Sequence, residues 1–418
     1  MAVMNPFEPV LLRRIAQTHG TPLWVYDAQT IRQRIASLRA FDVVRYAQKA
    51  NANIHLLRLM RAQGVCIDAV SLGEIERAQA AGYAVGAGPA SGIVFTADLF
   101  DAATLARVVA DGIPVNAGSI DMLRQLGAAT AGSAKPHPVW LRINPGFGHG
   151  HSQKTNTGGE HSKHGIWHTD LAEALAVIRA QGLRLVGLHM HIGSGVDYSH
   201  LAEVCGAMVD LAARVDLPIE AISAGGGLSV PYRDCEPRID VAHYYGLWDA
   251  ARQRIAAARG HPIHLELEPG RYLVAESGVL LSEVRAVKRQ GSQHFTLVDA
   301  GFNDLMRPAL YGSHHDISLL PCNDQPRASV ATVVAGPLCE SGDVFTQAEG
   351  GVVLTRKLPE AQVGDLLVFH DAGAYGASMS SNYNSRPLIA EVLVDGGQYR
   401  LVRRRQTLAE LIGLELMS

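Results

Sequence analysis

Through the first two-thirds of the chain, short apolar runs of β-type residues alternate with stretches whose apolar positions recur three and four apart. The runs predict strands at 43–47, 65–70, 93–96, 113–116, 139–143, 185–190, 219–223 and 263–268. Between them lie amphipathic helical patterns, such as Leu56, Leu57, Leu59 and Met60, or Leu201, Val204, Met208 and Leu211. Glycines at 64, 82, 112, 127, 182 and 260 stand where helices are expected to close. Eight such units over roughly 240 residues predict a (β/α)8 barrel, because an open doubly wound sheet needs only five or six. After about residue 273 the texture changes to apolar runs at 280–287, 295–298, 329–335, 352–357, 365–370 and 389–394, with no helical pattern between them. Turns such as Asp395-Gly396-Gly397 join the later runs, so an antiparallel β-sandwich or barrel domain is expected, closed by a helical stretch at 407–417. The run 22–26 is expected to pair with that β domain. The domain boundaries read from this pattern are 28–273 for the barrel, with 1–27 and 274–418 forming the β domain.

Composition narrows the class. The 418 residues are 47% hydrophobic and 18% charged, the balance of a soluble chain with a sizeable core. Lys plus Arg number 37 against 40 for Asp plus Glu, a net charge of −3, which gives no electrostatic case for nucleic acid or an anionic membrane. The N-terminal stretch, with Pro6, Glu8 and Pro9, lacks the basic-then-apolar order of a signal peptide. No run approaches the roughly 18–20 apolar residues of a membrane span. Five scattered cysteines (Cys66, Cys205, Cys235, Cys322, Cys339) include no C-x-x-C pair, which argues against disulfide scaffolds and zinc ribbons. A cytoplasmic globular enzyme is the expected class.

In a (β/α)8 barrel, chemistry collects at the C-terminal ends of the strands. There this sequence places Lys49, the His189–His191 segment, three consecutive glycines (Gly225, Gly226, Gly227), Glu266, Glu268 and Arg271. A desolvated lysine at a rim becomes an amine nucleophile toward a carbonyl. Consecutive glycines let backbone N–H groups approach a phosphate, and Arg271 is suited to a phosphate or a carboxylate. Any one of these is ordinary alone; the signal is their convergence. His189 and His191 share a side of their strand, a spacing that also suits a metal pair, yet no H-E-x-x-H or second ligand cluster accompanies them, and no metal site is assigned. His149, His151, His161 and His164 sit among Gly, Ser, Thr and Asn and read as a mobile polar loop.

Four segments, Tyr46-Ala47-Gln48-Lys49-Ala50-Asn51, His189-Met190-His191-Ile192-Gly193-Ser194, Gly225-Gly226-Gly227 and Glu268-Pro269-Gly270-Arg271, resemble those of the fold-type III pyridoxal phosphate decarboxylases, whose barrel is alanine racemase-like. Met306-Arg307-Pro308-Ala309-Leu310-Tyr311, Gly336-Pro337-Leu338-Cys339-Glu340-Ser341-Gly342-Asp343 and Ala374-Tyr375-Gly376 narrow the resemblance to the branch acting on meso-2,6-diaminopimelate, the last step of lysine biosynthesis. It runs in order through nearly the whole chain.

The resemblance implies a role for each matching residue. Lys49 would carry pyridoxal 5'-phosphate covalently, His191 would stack on its ring, and Glu268 would hold the ring nitrogen protonated. Related racemases have an arginine in place of that glutamate, so Glu268 favours decarboxylation. Ser194, Gly225, Gly226, Gly227, Pro269, Gly270, Arg271 and Tyr375 would surround the cofactor, with Arg271 and Tyr375 also reaching the amino-acid substrate. Arg307, Tyr311 and Glu340 would recognise the distal end of that substrate. Cys339, contributed by the partner subunit of a homodimer with shared active sites, would return a proton to the product carbon. Asp343 matches a position near the same pocket. The long His-rich segment 146–167, with His164 where many members carry Phe, departs from the family pattern. Two alternatives remain at this point: a decarboxylase of another basic amino acid (D-ornithine, D-lysine, ornithine or arginine), and a non-catalytic carrier of the cofactor.

Overall fold

The computed structural model describes residues 7–86, 91–148, 158–191, 193 and 197–416. Two compact units divide the chain: Arg34–Ser229 with Arg238–Tyr272, and Met1–Gln33 with Val230–Pro237 and Leu273–Ser418.

In the first unit eight parallel strands close into a barrel. They are β1 (Val43–Ala47), β2 (Cys66–Ala69), β3 (Ile93–Ala97), β4 (Val115–Ala117), β5 (Pro138–Asn144), β6 (Arg184–His189), β7 (Ala221–Ser223) and β8 (His264–Leu267), and β8 pairs back onto β1. Strands covered on both faces have no solvent-facing polar side to alternate with, which is why they read as mostly apolar runs; all seven residues of β5 are buried. Helices start where a side chain takes up a free N–H of the first turn, as Ser71, Asp101, Ser119 and Asp240 do. Gly112 and Gly260 end two helices in the left-handed conformation. Gly127 instead lies inside the helix Ile120–Ala129, where an added Cβ would come within 2.4 Å of the Gln181 Cβ.

The second unit is built on one 13-residue strand, Gly278–Gln290, which pairs antiparallel with Leu23–Asp27, Leu366–Phe369 and Gln293–Val298. Its register shifts between Val284 and Ala286, where the chain moves from one set of partners to the next. The sheet is mixed rather than wholly antiparallel: Leu23–Asp27 runs parallel to Ala390–Asp395, and Gln293–Val298 runs parallel to Ser329–Ala335. Leu12, Ile15, Val25, Leu281, Val368 and Val392 lie in its core. Two strands escaped the sequence pattern. Ile317–Leu320 is short, and Gln398–Arg403 carries polar residues on an open face, although the turn before it, with Gly396 at φ 59° and Gly397 at φ 78°, was legible. The apolar run at 352–354 is not a ladder strand; Val352, Val353 and Leu354 are exposed and make one isolated antiparallel bridge, Val353 with Gln347, and ladder pairing begins at Arg356–Pro359. The closing helix is shorter than expected, Leu408–Gly413. Among the described residues no helix is long and apolar enough to cross a membrane.

Inside the barrel Arg45 of β1 and Glu266 of β8 form a two-point ion pair, Nε to Oε2 at 2.5 Å and Nη2 to Oε1 at 3.1 Å, with each side chain 8% exposed. Replacing one member strands the other charge out of water. Arg45→Met is expected to lower the unfolding free energy by about 3–5 kcal/mol, read from denaturant titration; a loss below about 1 kcal/mol would show the pair to be dispensable.

Candidate active site

β1 runs directly into a single 3-10 turn, Gln48–Ala50, that sets Lys49 exposed at the rim while Gln48 and Ala50 are buried. The turn is held from both sides. The Tyr46 hydroxyl donates to the Asn51 carbonyl at 3.0 Å, the Gln48 amide donates to the Glu74 carbonyl at 2.9 Å, and the Ala47 N–H reaches the Pro269 carbonyl at 3.1 Å. The last contact ties the end of β1 to the segment after β8.

That segment carries Glu268. Its Oε2 accepts from His189 Nε2 at 2.7 Å, the imidazole being 1% exposed. Burial pushes the Glu268 carboxyl up, but the charge of and hydrogen bond from His189, with Arg142 and Arg45, more than reverse this, and its pKa falls below the ordinary 4.5. Asp68 on β2 goes the other way: burial and the Glu268 charge push it up to about 6. Glu74, at the first turn of the following helix, is pushed by burial to about 7 although the Val70 N–H donates to it. The rim thus holds one carboxylate whose pKa is lowered beside two whose pKa values are raised toward neutrality.

His191 lies past the end of β6, half-buried. The Gly226 N–H donates to its Nδ1 at 3.1 Å, which leaves the ring proton on Nε2. Burial first, then the positive charges of Arg142 and Lys49, hold its pKa well below 6.5, so the ring is neutral. Gly225, Gly226 and Gly227 are not a flexible turn. A Cβ at Gly225 would lie 2.3 Å from the Met190 carbonyl, at Gly226 2.7 Å from that of Glu268, and at Gly227 2.4 Å from that of Gly193. Gly225 and Gly227 also have φ of 61° and 103°, where side chains are strained. Pro269 and Gly270 are buried, and Arg271 begins the short helix Arg271–Val274, half-buried. Ser194 lies outside the described residues.

His164 does not float in a polar loop. Its Nδ1 meets Asp98 Oδ2 at 2.6 Å, and Asp98 Oδ1 accepts the Gly165 N–H at 2.9 Å. Burial raises the Asp98 carboxyl, and these hydrogen bonds bring it below its ordinary value. His161 is exposed, and His149 and His151 lie outside the described residues.

In the β unit, Arg307 opens the helical turn Arg307–Tyr311 and is 5% exposed; Tyr311 at its end is half-buried. Cys339 and Glu340 are exposed on a loop organised by Asp343, whose carboxylate accepts the Phe302 and Leu338 N–H groups at 2.7 Å each. Burial raises the Asp343 pKa. The Cys339 N–H donates to Asn384 Oδ1 at 2.8 Å, and the Tyr383 hydroxyl lies 3.5 Å from Glu340 Oε2. Among the described residues, all four non-glycine positions with left-handed backbone (Asp371, Tyr375, Asn384 and Ser385) fall in 371–385. For a side chain as bulky as Tyr375, φ 57° is a strained conformation of the kind that clusters at functional sites.

The structure therefore brings Lys49, His191, the three glycines and Glu268 to one barrel rim, and sets Arg307, Tyr311, Cys339, Glu340 and Tyr375 in the β unit. Sequence reasoning missed His189 as the partner of Glu268, and Asp68 and Arg142 altogether. The signal for the last two was present, since a charge inside an apolar strand run is rarely buried without a reason.

Residues 28–275 match the family model of the pyridoxal-dependent decarboxylases, pyridoxal binding domain, which sets the class. The chain is 66% identical over 409 residues to the diaminopimelate decarboxylase of Escherichia coli (strain K12), covering 97% of this chain and 96% of that one. A crystal structure of a diaminopimelate decarboxylase superposes with a TM-score of 0.94 at 63% identity, covering 100% of this chain and 99% of that one. The Helicobacter pylori enzyme complexed with L-lysine superposes at 0.85 with 30% identity, covering 96% and 98%. The chain belongs to the diaminopimelate decarboxylase family of these enzymes.

The His189–Glu268 pair has a pH signature. A carboxyl depressed in the folded state adds stability above its unfolded pKa, lost as pH falls through the folded value. In His189→Leu the largest influence opposing burial is gone, with Arg142 and Arg45 remaining, so the Glu268 pKa rises. The stability deficit of the variant is then largest near pH 7 and shrinks toward about pH 4, where the carboxyl is protonated. Denaturant midpoints of both proteins across this range test it, and a pH-independent deficit would contradict it.

Proposed function

We propose that the protein decarboxylates meso-2,6-diaminopimelate to L-lysine and carbon dioxide with pyridoxal 5'-phosphate, working as a cytoplasmic homodimer. The observation that supports this most is the Glu268 carboxylate, kept ionised beside His189 at the rim that also carries Lys49 and the side-chain-free glycine loop. These residues fit the cofactor. Lys49 would supply the amine that holds it, Gly225, Gly226 and Gly227 would offer backbone N–H groups without a Cβ in the way, and Glu268 would hold a proton on the ring nitrogen. The neutral His191 ring offers an uncharged face, and Arg271 and Tyr375, with Ser194 by the resemblance alone, would complete the phosphate contacts. When bound, pyridoxal phosphate supplies an electron sink for the pair left as carbon dioxide departs.

The remaining residues bind substrate and move a proton. Diaminopimelate presents an ammonium and a carboxylate at its distal end. Glu340 takes the ammonium, Arg307 and Arg271 take the carboxylate, and Tyr311 and Tyr375 flank the chain. A substrate without the distal carboxylate leaves a buried guanidinium unsatisfied, which penalises smaller basic amino acids. The Cys339 thiol, from the partner subunit, returns a proton to the carbon that lost its carboxylate.

Lys49→Ala is expected to lose both the near-visible absorbance of the bound cofactor and release of carbon dioxide from meso-diaminopimelate; a retained band contradicts the assignment of Lys49. Cys339→Ala keeps the band and slows turnover by about 100-fold, the usual contribution of a positioned proton donor. Mixed under subunit exchange, the two variants recover activity above that of either alone if Lys49 and Cys339 serve one site from different subunits. Exchange without recovery contradicts the shared site.

A further inference from the structure

We infer that His315 and Tyr232 are positioning residues that hold the Arg307 guanidinium as a carboxylate clamp and so set preference for a distal carboxylate. The inference rests on the reading of Arg307 given above. Arg307 Nη1 lies 2.8 Å from His315 Nε2. A guanidinium has only donors, so Nε2 accepts and the ring proton sits on Nδ1, which lies 2.9 Å from the His370 carbonyl and donates to it. The tautomer is fixed by a backbone group at the end of the strand Leu366–Phe369. His370 is itself anchored, its Nε2 lying 2.8 Å from the Ser318 hydroxyl. Across the guanidinium, the Tyr232 ring takes the Arg307 Cζ at 4.6 Å from its centroid and meets the His315 ring edge-on at 5.5 Å.

These two groups hold the guanidinium by its Nη1 edge and by its face. The imidazole and the aromatic face fix its plane for an incoming anion. The neighbouring cluster shows the contrast. Arg356 Nη2 lies 2.5 Å from His314 Nδ1, and His314 Nε2 lies 2.6 Å from Asp316 Oδ1, so that chain of contacts ends on a carboxylate. The adjacent histidines thus hold opposite tautomers, His314 passing an arginine's hydrogen bonding on to an acid and His315 passing it to a neutral carbonyl. Tyr232 comes from Val230–Pro237, the stretch between barrel residues that belongs to the β unit, where its own N–H is held by Glu236 Oε2 at 2.7 Å.

Calorimetric titration of the cofactor-loaded protein with L-lysine, which keeps the carboxylate left after decarboxylation, and with cadaverine, which lacks it, separates clamp from scaffold. His315→Leu and Tyr232→Leu are expected to weaken L-lysine about 10-fold or more while leaving cadaverine within about threefold, and to raise KM more than they lower kcat. His315→Gln, whose amide oxygen stands near the lost Nε2, restores L-lysine binding. If Arg307→Ala weakens L-lysine and His315→Leu does not, the positioning role is overturned while the reading of Arg307 stands. If Arg307→Ala itself leaves L-lysine unchanged, the reading of Arg307 fails. If His315→Leu does not fold, His315→Gln and Tyr232→Leu decide: weak L-lysine binding in the glutamine variant, or equal weakening of both ligands in the leucine variant, overturns the inference.

Discussion

The barrel rim depends on one buried hydrogen bond, that between His189 and Glu268. A carboxyl taken out of water prefers to be protonated, and Asp68 shows what happens at this depth when no comparable donor is present. His189 reverses that preference for Glu268. Everything nearby is arranged around the result: the Glu268 N–H donates to the Gly225 carbonyl at 2.7 Å, fixing the glycine loop, and the loop's Gly226 N–H in turn orients His191. A chain of local contacts converts one ionised carboxylate into a cradle with a defined charge beneath it.

The β unit solves a different problem, holding chemically active groups on loops. Asp343 accepts two backbone N–H groups and so shapes the turn that presents Cys339 and Glu340. Asn384 reaches the Cys339 N–H from a left-handed backbone position, in the same segment where Tyr375 is strained. Arg307 is held by the His315 imidazole and the Tyr232 ring. Rigid strands such as Gly278–Gln290 and Ser329–Ala335 supply the frame, and the strain is confined to 371–385.

Much of this was legible in the chain itself. Doubly covered strands leave short, largely apolar runs of three to seven residues, so the barrel announced itself by count, and Lys49, His191 and Glu268 could be read because each follows a strand end almost at once. What stayed hidden depends on contacts that sequence spacing does not encode. His189 looked like half of a pair with His191, whereas its partner is supplied by the segment after β8. Tyr232 and His315 lie in stretches without periodicity, and only the fold gathers them at Arg307. The run at 352–354 failed for a different reason: its residues suit a strand, but they make a single antiparallel bridge, Val353 with Gln347, and stay exposed rather than joining a ladder. The parallel pairing of Leu23–Asp27 with Ala390–Asp395 joins the two ends of the chain, and turn chemistry is silent about such a link.

Release of carbon dioxide by the pyridoxal-phosphate-loaded protein, compared across meso-diaminopimelate, L-ornithine, L-arginine, D-ornithine and D-lysine, tests the central claim most directly. The account predicts release from meso-diaminopimelate alone, with L-lysine formed in equal amount. Preference for a basic amino acid lacking the distal carboxylate would contradict it, leaving the fold in place but removing the roles given to Arg307 and Glu340.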